Sequence, residues 1–248
     1  NFIDVHFPCH QLPDVYLRRF TPLDPGVLRP LRLQLFAAQF GGTPPDPQAV
    51  AEPAIAMYDA GVLYADALLG RVVEALRRRG SLDRTVLVVL ADHGELLGER
   101  GEFGHGLALF EAVTHVPLLV RYPPRIPAGR RIAVPVSTVG VFATALELSG
   151  VTSPARLDVG SLVPVVGGQP GGVPVVSERY ANTTIGGRHM LGAGSDPMMA
   201  ADERYRSYRV GTLKLVQAAK QHAHFLFDLA ADPTETHDLA AARPGDGT

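Results

Sequence analysis

A glycine-rich loop near the middle of the sequence holds the side chains best suited to chemistry. Asp92 and His93 follow the apolar run at 86–90, and a carboxylate beside an imidazole at the end of a strand suits a divalent cation. Neighbouring strand residues point to opposite faces, but Gly94 ends the strand, so both side chains can turn towards one ion. Further glycines let the loop bring His105 back towards the same place. The loop is therefore a candidate metal site.

The same residues also allow interpretations without a metal. On spacing alone, a turn with a helix-capping carboxylate is the commoner explanation of Asp92 and His93, and His105 by itself could be structural or catalytic. A nucleophile relay is a poor alternative, because adjacent residues rarely let the carboxylate orient the imidazole at its far nitrogen, and the sequence has no Gly-x-Ser-x-Gly elbow. The other charged residues of the loop are predicted to form a solvated face, namely Glu95, Glu99, Arg100 and Glu102.

The composition excludes several classes of protein. The sequence has 248 residues with 23 basic and 25 acidic side chains, a balance that gives no electrostatic footprint for nucleic acid. Its single cysteine, Cys9, excludes an internal disulfide framework and a thiolate-rich zinc site. An uncharged stretch at 159–177 is broken by prolines and glycines, so no membrane segment is predicted. Because the sequence begins abruptly with NFIDVHFP, we expect that further sequence precedes it.

A helix and a strand are predicted directly before the loop. Asp46 is a capping side chain followed by Pro47 at the first helical position, and mostly helical apolar spacing continues to Arg79 before Gly80 ends the helix. The run at 86–91 is apolar on both faces, which is typical of a central parallel strand. This unit would deliver the loop to the carboxyl end of a sheet, where ligands collect in open α/β folds.

The rest of the chain is predicted to alternate helices and strands and then to become mostly β. The predicted elements are a strand at 1–7, a proline-rich surface segment at 8–47 with a short helix at 31–40, a helix at 107–113, a strand at 116–123, a helix at 136–150, a strand at 174–180, two antiparallel strands within 205–217, and a strand that enters a turn and a terminal helix within 224–240. The pattern predicts a layered α/β core over residues 1–165 and a small antiparallel β subdomain with a terminal helix over residues 166–248.

The segment LADHGELLGERGEFGHGLALFEAVTHVPLLVRYP resembles the stretch of the sulfatase family in which a strand ends in Ser-Asp-His-Gly-Glu or Ser-Asp-Asn-Gly. Other segments resemble the same family in the correct order: DVHFPCH, MYDAGVLYADALLGRVVEALRRRGSLDRTVLVVLADHG and HFLFDLAADPTETHDLA. The resemblance spans almost the whole sequence. It implies an alkaline-phosphatase-like α/β fold, incomplete because the N-terminal part is missing, and an enzyme that hydrolyses sulfate esters.

The resemblance also implies a role for each residue that matches a family motif. Asp92 and His93 match the metal ligands, and the metal is usually calcium. His6 matches the histidine that assists at the sulfuryl group, and His105 matches the lysine or histidine that contacts the sulfate or protonates the leaving oxygen. The chemistry agrees, because a cation neutralises charge on the ester oxygens and an imidazole can donate a proton to a departing alkoxide. The implied substrate is a small-molecule or glycan sulfate ester.

Several elements of the family are absent or altered. The sequence lacks the family's Cys/Ser-x-Pro-x-Arg segment, whose Cys or Ser becomes a formylglycine nucleophile. It also lacks the two aspartates of the family's first strand. The segment and the aspartates are therefore expected upstream. Cys9 lacks the following Pro-x-Arg and is interpreted as a packed thiol. The substitutions at other motif positions are interpreted as structural, namely Gly140, Ala143 and Asp238. We expect the 248-residue chain alone to hold calcium weakly and to be inactive.

Two alternatives to a sulfatase remain open. One alternative is a phosphorus-ester hydrolase, or a phosphoglycerol- or phosphoethanolamine-type transferase, of the same superfamily. Such an enzyme would use a different nucleophile, and the nucleophile residue that distinguishes it from a sulfatase is expected upstream. A non-catalytic protein would keep the fold without the chemistry, although a scaffold has no physical need for the retained acid and histidines. Substrate specificity is expected to come from loops that include 8–47 and 180–203. The segment 180–203 has polar residues and glycines that suit a flexible lid, although a plain surface loop is the commoner explanation of such a sequence.

Overall fold

The structure is a computed structural model that describes residues 2–6, 12–38, 46–106, 108–153, 155–171, 174–181, 196–200 and 203–241. Cys9 and most of the segment 180–203 lie outside these residues. The α-helices are α1 (Asp14–Leu17), α2 (Pro25–Ala38), α3 (Pro47–Arg78), α4 (Glu111–Thr114), α5 (Gly140–Leu148) and α6 (Val163–Val166), with short 3₁₀ helices at Leu82–Arg84 and Glu99–Gly101. The strands are β1 (Leu87–Leu90), β2 (Leu96–Leu97), β3 (Phe103–Gly104), β4 (Leu118–Arg121), β5 (Val175–Arg179), β6 (Tyr205–Val210), β7 (Leu213–Ala218) and β8 (Ala223–Asp228).

The chain divides into two compact units. The first unit comprises Asn1–Arg78, Glu95–Ala108 and Tyr180–Glu203, and the second unit comprises Arg79–Gly94, Leu109–Arg179 and Arg204–Thr248. The domain boundary between residues 165 and 166 stays a prediction. None of the described helices combines the length and the apolar character that a membrane crossing requires.

The first unit is built on α3, and the start of this helix confirms the predicted cap. Asp46 Oδ1 accepts a hydrogen bond from the Gln48 amide at 3.0 Å, and Pro47 stands in the first turn, where its missing N–H is no loss. The helix packs into a core of buried side chains that includes Leu28 and Met57. The long helix thus has both a defined start and a buried face.

The helix predicted at 31–40 starts earlier than expected: α2 begins at Pro25 and ends at Ala38. Asp24 Oδ1 accepts a hydrogen bond from the Gly26 amide at 2.7 Å and so satisfies one of the free donors of the first turn. The pair Asp24 and Pro25 therefore starts α2 as the corresponding pair starts α3. The prediction of a wandering surface segment overlooked this signal.

The strand predicted at 1–7 is wrong for the described residues 2–6, which form a turn. The His6 amide donates to the Ile3 carbonyl at 3.0 Å. The turn packs against α3 at Gly61, where an added Cβ would lie 3.0 Å from the Asp4 carbonyl oxygen. Apolar, β-branched composition favours a strand only where a partner strand is available, and here the backbone contact with a helix decides the conformation.

The second unit contains β1, whose predicted parallel pairing is wrong. β1 pairs with β4 in antiparallel register, with Leu87 opposite Arg121 and Leu90 opposite Leu118. Within the described residues these two strands form a sheet of their own, and β1 is partly exposed rather than buried on both faces. An apolar run indicates that a strand packs against something, but it carries no information on the direction of its neighbour.

The C-terminal part of the second unit confirms the predicted antiparallel sheet. Its strands follow the order β5-β6-β7-β8, and each pairs with the next in antiparallel register. The helix expected after β8 is wrong for residues 229–241, which form turns. Asp232 Oδ2 accepts from the His237 amide at 2.7 Å, and Asp238 Oδ1 accepts from the Leu226 amide on β8 at 2.9 Å. These side chains satisfy backbone amides in place of helical carbonyls.

The predicted helix before Gly150 is confirmed as α5, and Gly140 at its start has a structural reason. A Cβ at this position would lie 2.8 Å from Leu162 Cδ2 and 3.0 Å from the Gly160 carbonyl oxygen. Thr144, one turn further on, donates to the Gly140 carbonyl at 2.7 Å and accepts from the Leu162 amide at 2.8 Å. The close approach of the two segments explains the absence of a larger side chain at Gly140.

Candidate active site

Asp92 and His93 lie directly beyond the end of β1 in the second unit. His93 Nδ1 is 2.8 Å from the Gly94 carbonyl oxygen, and because a carbonyl only accepts, this nitrogen carries the proton of the neutral ring. Nε2 then bears the lone pair that a metal ligand requires. A hydrogen bond from the other ring nitrogen to a carbonyl is the usual support of a metal-binding histidine.

The separation of the two candidate ligand atoms fits a shared cation. Asp92 Oδ1 lies 3.9 Å from His93 Nε2. Ligand atoms lie roughly 2.0–2.6 Å from zinc or calcium, so two ligands of one ion must be less than about 5 Å apart. The Asp92 side chain is 88 % exposed, and its Oδ1 also accepts from the His93 amide at 3.1 Å. The pair can therefore chelate a divalent cation from the solvent.

Gly94 fixes the path of the chain after this pair. Its amide donates to the Val113 carbonyl in α4 at 2.7 Å. A Cβ on Gly94 would lie only 2.0 Å from the Ala112 carbonyl oxygen, so any other residue would force the loop away from α4. The glycine after the Asp-His pair is thus required by close backbone packing within the second unit.

His105 is held by two contacts in the first unit. Its Nδ1 lies 2.8 Å from Glu95 Oε1. Its ring also meets the ring of His6 edge to face, with centroids 4.8 Å apart and planes at 89°. The structure therefore brings the two predicted catalytic histidines into contact, although they lie far apart in the sequence. Their catalytic roles stay predictions.

The solvated face predicted from the loop charges is wrong for two of its members. Glu95 is 7 % exposed and Glu102 is 2 % exposed. Glu99 is exposed as predicted, and Arg100 forms an ion pair with Asp196 at 2.6 Å. The β2–β3 hairpin turns the two buried carboxyl groups inward, and an irregular loop carries no sequence periodicity from which burial could be predicted.

Burial changes the ionisation of Glu102. Loss of contact with water, followed by repulsion from the nearby Asp196, raises the pKa of Glu102 from 4.5 to about 7. Glu102 Oε1 is buried and has no hydrogen-bond partner among the described residues. The side chain is therefore poised between its neutral and charged forms near neutral pH.

A buried ion cluster in the second unit was not anticipated from the sequence. Lys214 on β7 is 1 % exposed, and its Nζ lies 2.8 Å from Glu235 Oε1 and 3.1 Å from Glu111 Oε1. Glu111 also pairs with Arg209, and its amide donates to Glu235 Oε2 at 2.6 Å. Glu235 belongs to the Asp-Pro-x-Glu ending, so this ending binds the start of α4.

Solved structures of the alkaline-phosphatase-like fold match this chain, and the chain has that fold. Among them, the phosphonate monoester hydrolase of Agrobacterium radiobacter aligns with a TM-score of 0.63 and 29 % identity, covering 77 % of this chain and 38 % of that one. The model of the family described as Sulfatase matches residues 6–151. The chain belongs to the sulfatase family.

The names of curated relatives agree with membership of the sulfatase family. Arylsulfatase K of Xenopus laevis is 33 % identical over 192 residues, which cover 76 % of this chain and 34 % of that protein. A sulfatase of Formosa agariphila is 33 % identical over 181 residues, which cover 73 % of this chain and 31 % of that protein. The chain thus spans about a third of the length of the curated relatives it matches.

Proposed function

We propose that this chain is part of a sulfuric ester hydrolase, a sulfatase that acts through a divalent metal ion. The geometry at the end of β1 carries the proposal. His93 donates from Nδ1 to the Gly94 carbonyl, which leaves Nε2 as a ligand 3.9 Å from Asp92 Oδ1. The names of the relatives, Arylsulfatase K and sulfatase, support the choice of a sulfate ester.

Asp92 and His93 would hold the metal, which we propose to be calcium. Bound there, a cation would neutralise negative charge on the ester oxygens. The carboxylate suits a hard cation, whereas an imidazole ligand is commoner for zinc or copper, so the identity of the ion needs its own measurement. The nucleophile, proposed to be a formylglycine, would come from outside these 248 residues, and we expect this chain alone to be inactive.

His6 and His105 are proposed to act on the sulfate group. His6 would assist at the sulfuryl oxygens, and His105 would contact the sulfate or protonate the leaving oxygen. Their ring contact, with centroids 4.8 Å apart, supports this, because two imidazoles so close can direct N–H groups at one anion. The proposed substrate is a small-molecule or glycan sulfate ester.

Hydrolysis of a phosphonate monoester is the second candidate function. It is favoured by the structural match to the phosphonate monoester hydrolase of Agrobacterium radiobacter, which at 29 % identity is comparable to the sulfatase relatives. One metal ion held by Asp92 and His93, together with the imidazoles of His6 and His105, would serve either ester. Both reactions place negative charge on oxygens next to the attacked atom.

The test compares nitrophenyl sulfate with a nitrophenyl phosphonate monoester as substrates of the full-length protein. We expect a higher kcat/KM for the sulfate, and Asp92→Asn should lower it by at least about a hundredfold. Asp83→Asn, which removes an exposed carboxylate paired with Arg121 in the same unit, should leave the activity unchanged. Preference for the phosphonate would favour the second function, and full activity of Asp92→Asn would refute the metal site.

A further inference from the structure

Glu95 and His105 face each other because of the hairpin that carries them. β2 and β3 pair in antiparallel register, with Leu96 opposite Gly104. The next residues outward, Glu95 and His105, are therefore directly opposite, where cross-strand side chains can touch. Glu95 Oε1 lies 2.8 Å from His105 Nδ1. The contact is thus set by strand register and not by chance proximity on a surface.

The environment of this contact favours a fixed geometry. The Glu95 side chain is 3 % exposed and the His105 side chain 29 % exposed, so the carboxylate is shielded from water while part of the imidazole remains accessible. The perpendicular ring of His6, 4.8 Å away between centroids, further limits rotation of the His105 ring.

An ionised carboxylate can only accept hydrogen bonds, so the contact places a proton on His105 Nδ1. In the neutral ring, Nε2 then carries the lone pair. In the protonated ring, Nε2 carries the second N–H. Glu95 thereby determines that any proton exchanged by His105 leaves from Nε2 or returns to it, while Nδ1–H stays bound to the carboxylate.

We propose that Glu95 is a positioning residue that fixes the tautomer and ring orientation of His105, so that Nε2 delivers the proton to the leaving oxygen. This inference rests on the proposed role of His105 in sulfate ester hydrolysis. As the nucleophile bonds to sulfur, the bond from sulfur to the leaving oxygen breaks and its electron pair stays on that oxygen. The Nε2–H bond of His105 breaks, the proton forms the alcohol, and a neutral imidazole with Nδ1–H remains.

The first measurement is the tautomer of His105 in the full-length protein, by proton–nitrogen correlation NMR on histidine-labelled material. His105→Gln identifies the resonances by their loss. The wild-type ring should be in the Nδ1–H form when neutral. Glu95→Gln offers an amide that can also donate, so the Nε2–H form should become populated, whereas Glu95→Asp should retain the Nδ1–H form in part.

The second measurement is the dependence of the rate on the leaving group. For a sulfate ester with a poor leaving group, Glu95→Gln should lower kcat by about 10- to 100-fold with little change in KM. For nitrophenyl sulfate, whose leaving oxygen needs little protonation, the loss should be much smaller. Glu95→Asp should recover part of the lost rate. A purely structural role would lower the rates for both esters alike.

Glu102→Gln is the matched control, because it removes a carboxylate that is also buried in the same loop. It should leave the His105 tautomer and both rates unchanged. An unchanged tautomer in Glu95→Gln, or an equal loss for both esters, would overturn the inference while the proposed function stands. If the full-length protein hydrolyses no sulfate ester, the proposed function fails, and the NMR experiment still decides whether Glu95 sets the tautomer.

Discussion

At the scale of single residues, the ionisation of Glu102 leads to a prediction about stability. Its pKa is about 7 in the folded protein against 4.5 as the ordinary value. Between these two pH values the unfolded chain releases this proton while the folded protein keeps it, so the free energy of unfolding falls as the pH rises. Above pH 7 the penalty is fully present, and it amounts to up to about 3 kcal/mol.

Glu102→Gln should remove this penalty, because the amide resembles the protonated acid. Denaturant unfolding of the full-length protein at several pH values measures the difference between variant and wild type. The variant should be more stable by about 2–3 kcal/mol at pH 8, and its advantage should vanish as the pH falls to 4.5. An advantage that stays constant over the whole range would mean that packing, not ionisation, causes it.

Residues of the candidate site were predictable only where a local pattern identifies them. Asp92, His93 and His105 were proposed as site residues because the strand end, the glycines and the family motif all point to the same loop. Glu95 was assigned to a solvated face. Its contact with His105 was missed because that contact depends on a hairpin of two-residue strands. A two-residue strand is too short to show any periodicity in the sequence.

At the scale of elements, the ion cluster around Lys214 ties α4 to β7 and to the end of the chain. Lys214 Nζ is the cation between Glu111 and Glu235, and burial raises the pKa of Glu235 against the opposing influence of Lys214. Lys214→Met keeps the length of the side chain but leaves buried carboxylates with less positive charge. We expect a loss of about 3–5 kcal/mol in the free energy of unfolding.

Denaturant unfolding of the full-length protein measures this loss. Lys220→Met is the matched control, because Lys220 is an exposed lysine, and it should change stability by less than about 0.5 kcal/mol. The double variant Lys214→Met, Glu235→Gln should lose less than Lys214→Met alone, because a neutral amide no longer requires the cation. Equal losses in the single and double variants would show that the charge of Glu235 does not matter.

Elements were predictable where their signals are local. Asp46 and Pro47 gave the start of α3, and the two antiparallel strands predicted within 205–217 are β6 and β7. The direction of the β1–β4 pair was not predictable, because pairing depends on residues distant in the sequence. The tail after β8 was mistaken for a helix, because the aspartates that bind its backbone amides in turns are also common at helix starts.

At the scale of the whole molecule, the family followed from the order of several motifs, and the division into units did not. Each motif alone would be a weak signal, but the motifs follow one another in the order of the family, and those in the first part of the chain lie almost wholly within the stretch 6–151 that the family model matches. The two compact units each draw on separate stretches of the chain. Such a division depends on long-range packing, which no local composition reveals.

The last prediction concerns the dependence of the full-length protein on a metal ion. An ion that binds the folded protein and not the unfolded chain stabilises it, by about 2.7 kcal/mol at a free concentration one hundred times its Kd. Calcium should therefore raise the thermal unfolding midpoint, and a chelator should lower it. Asp92→Asn removes the charged oxygen and His93→Gln removes the imidazole, so both should lose most of the calcium response. Asp83→Asn, at an exposed ion pair, should retain the response. If calcium stabilises Asp92→Asn as much as it stabilises the wild type, the ion binds elsewhere. If only zinc or manganese stabilises the wild type, the site stands with a different metal.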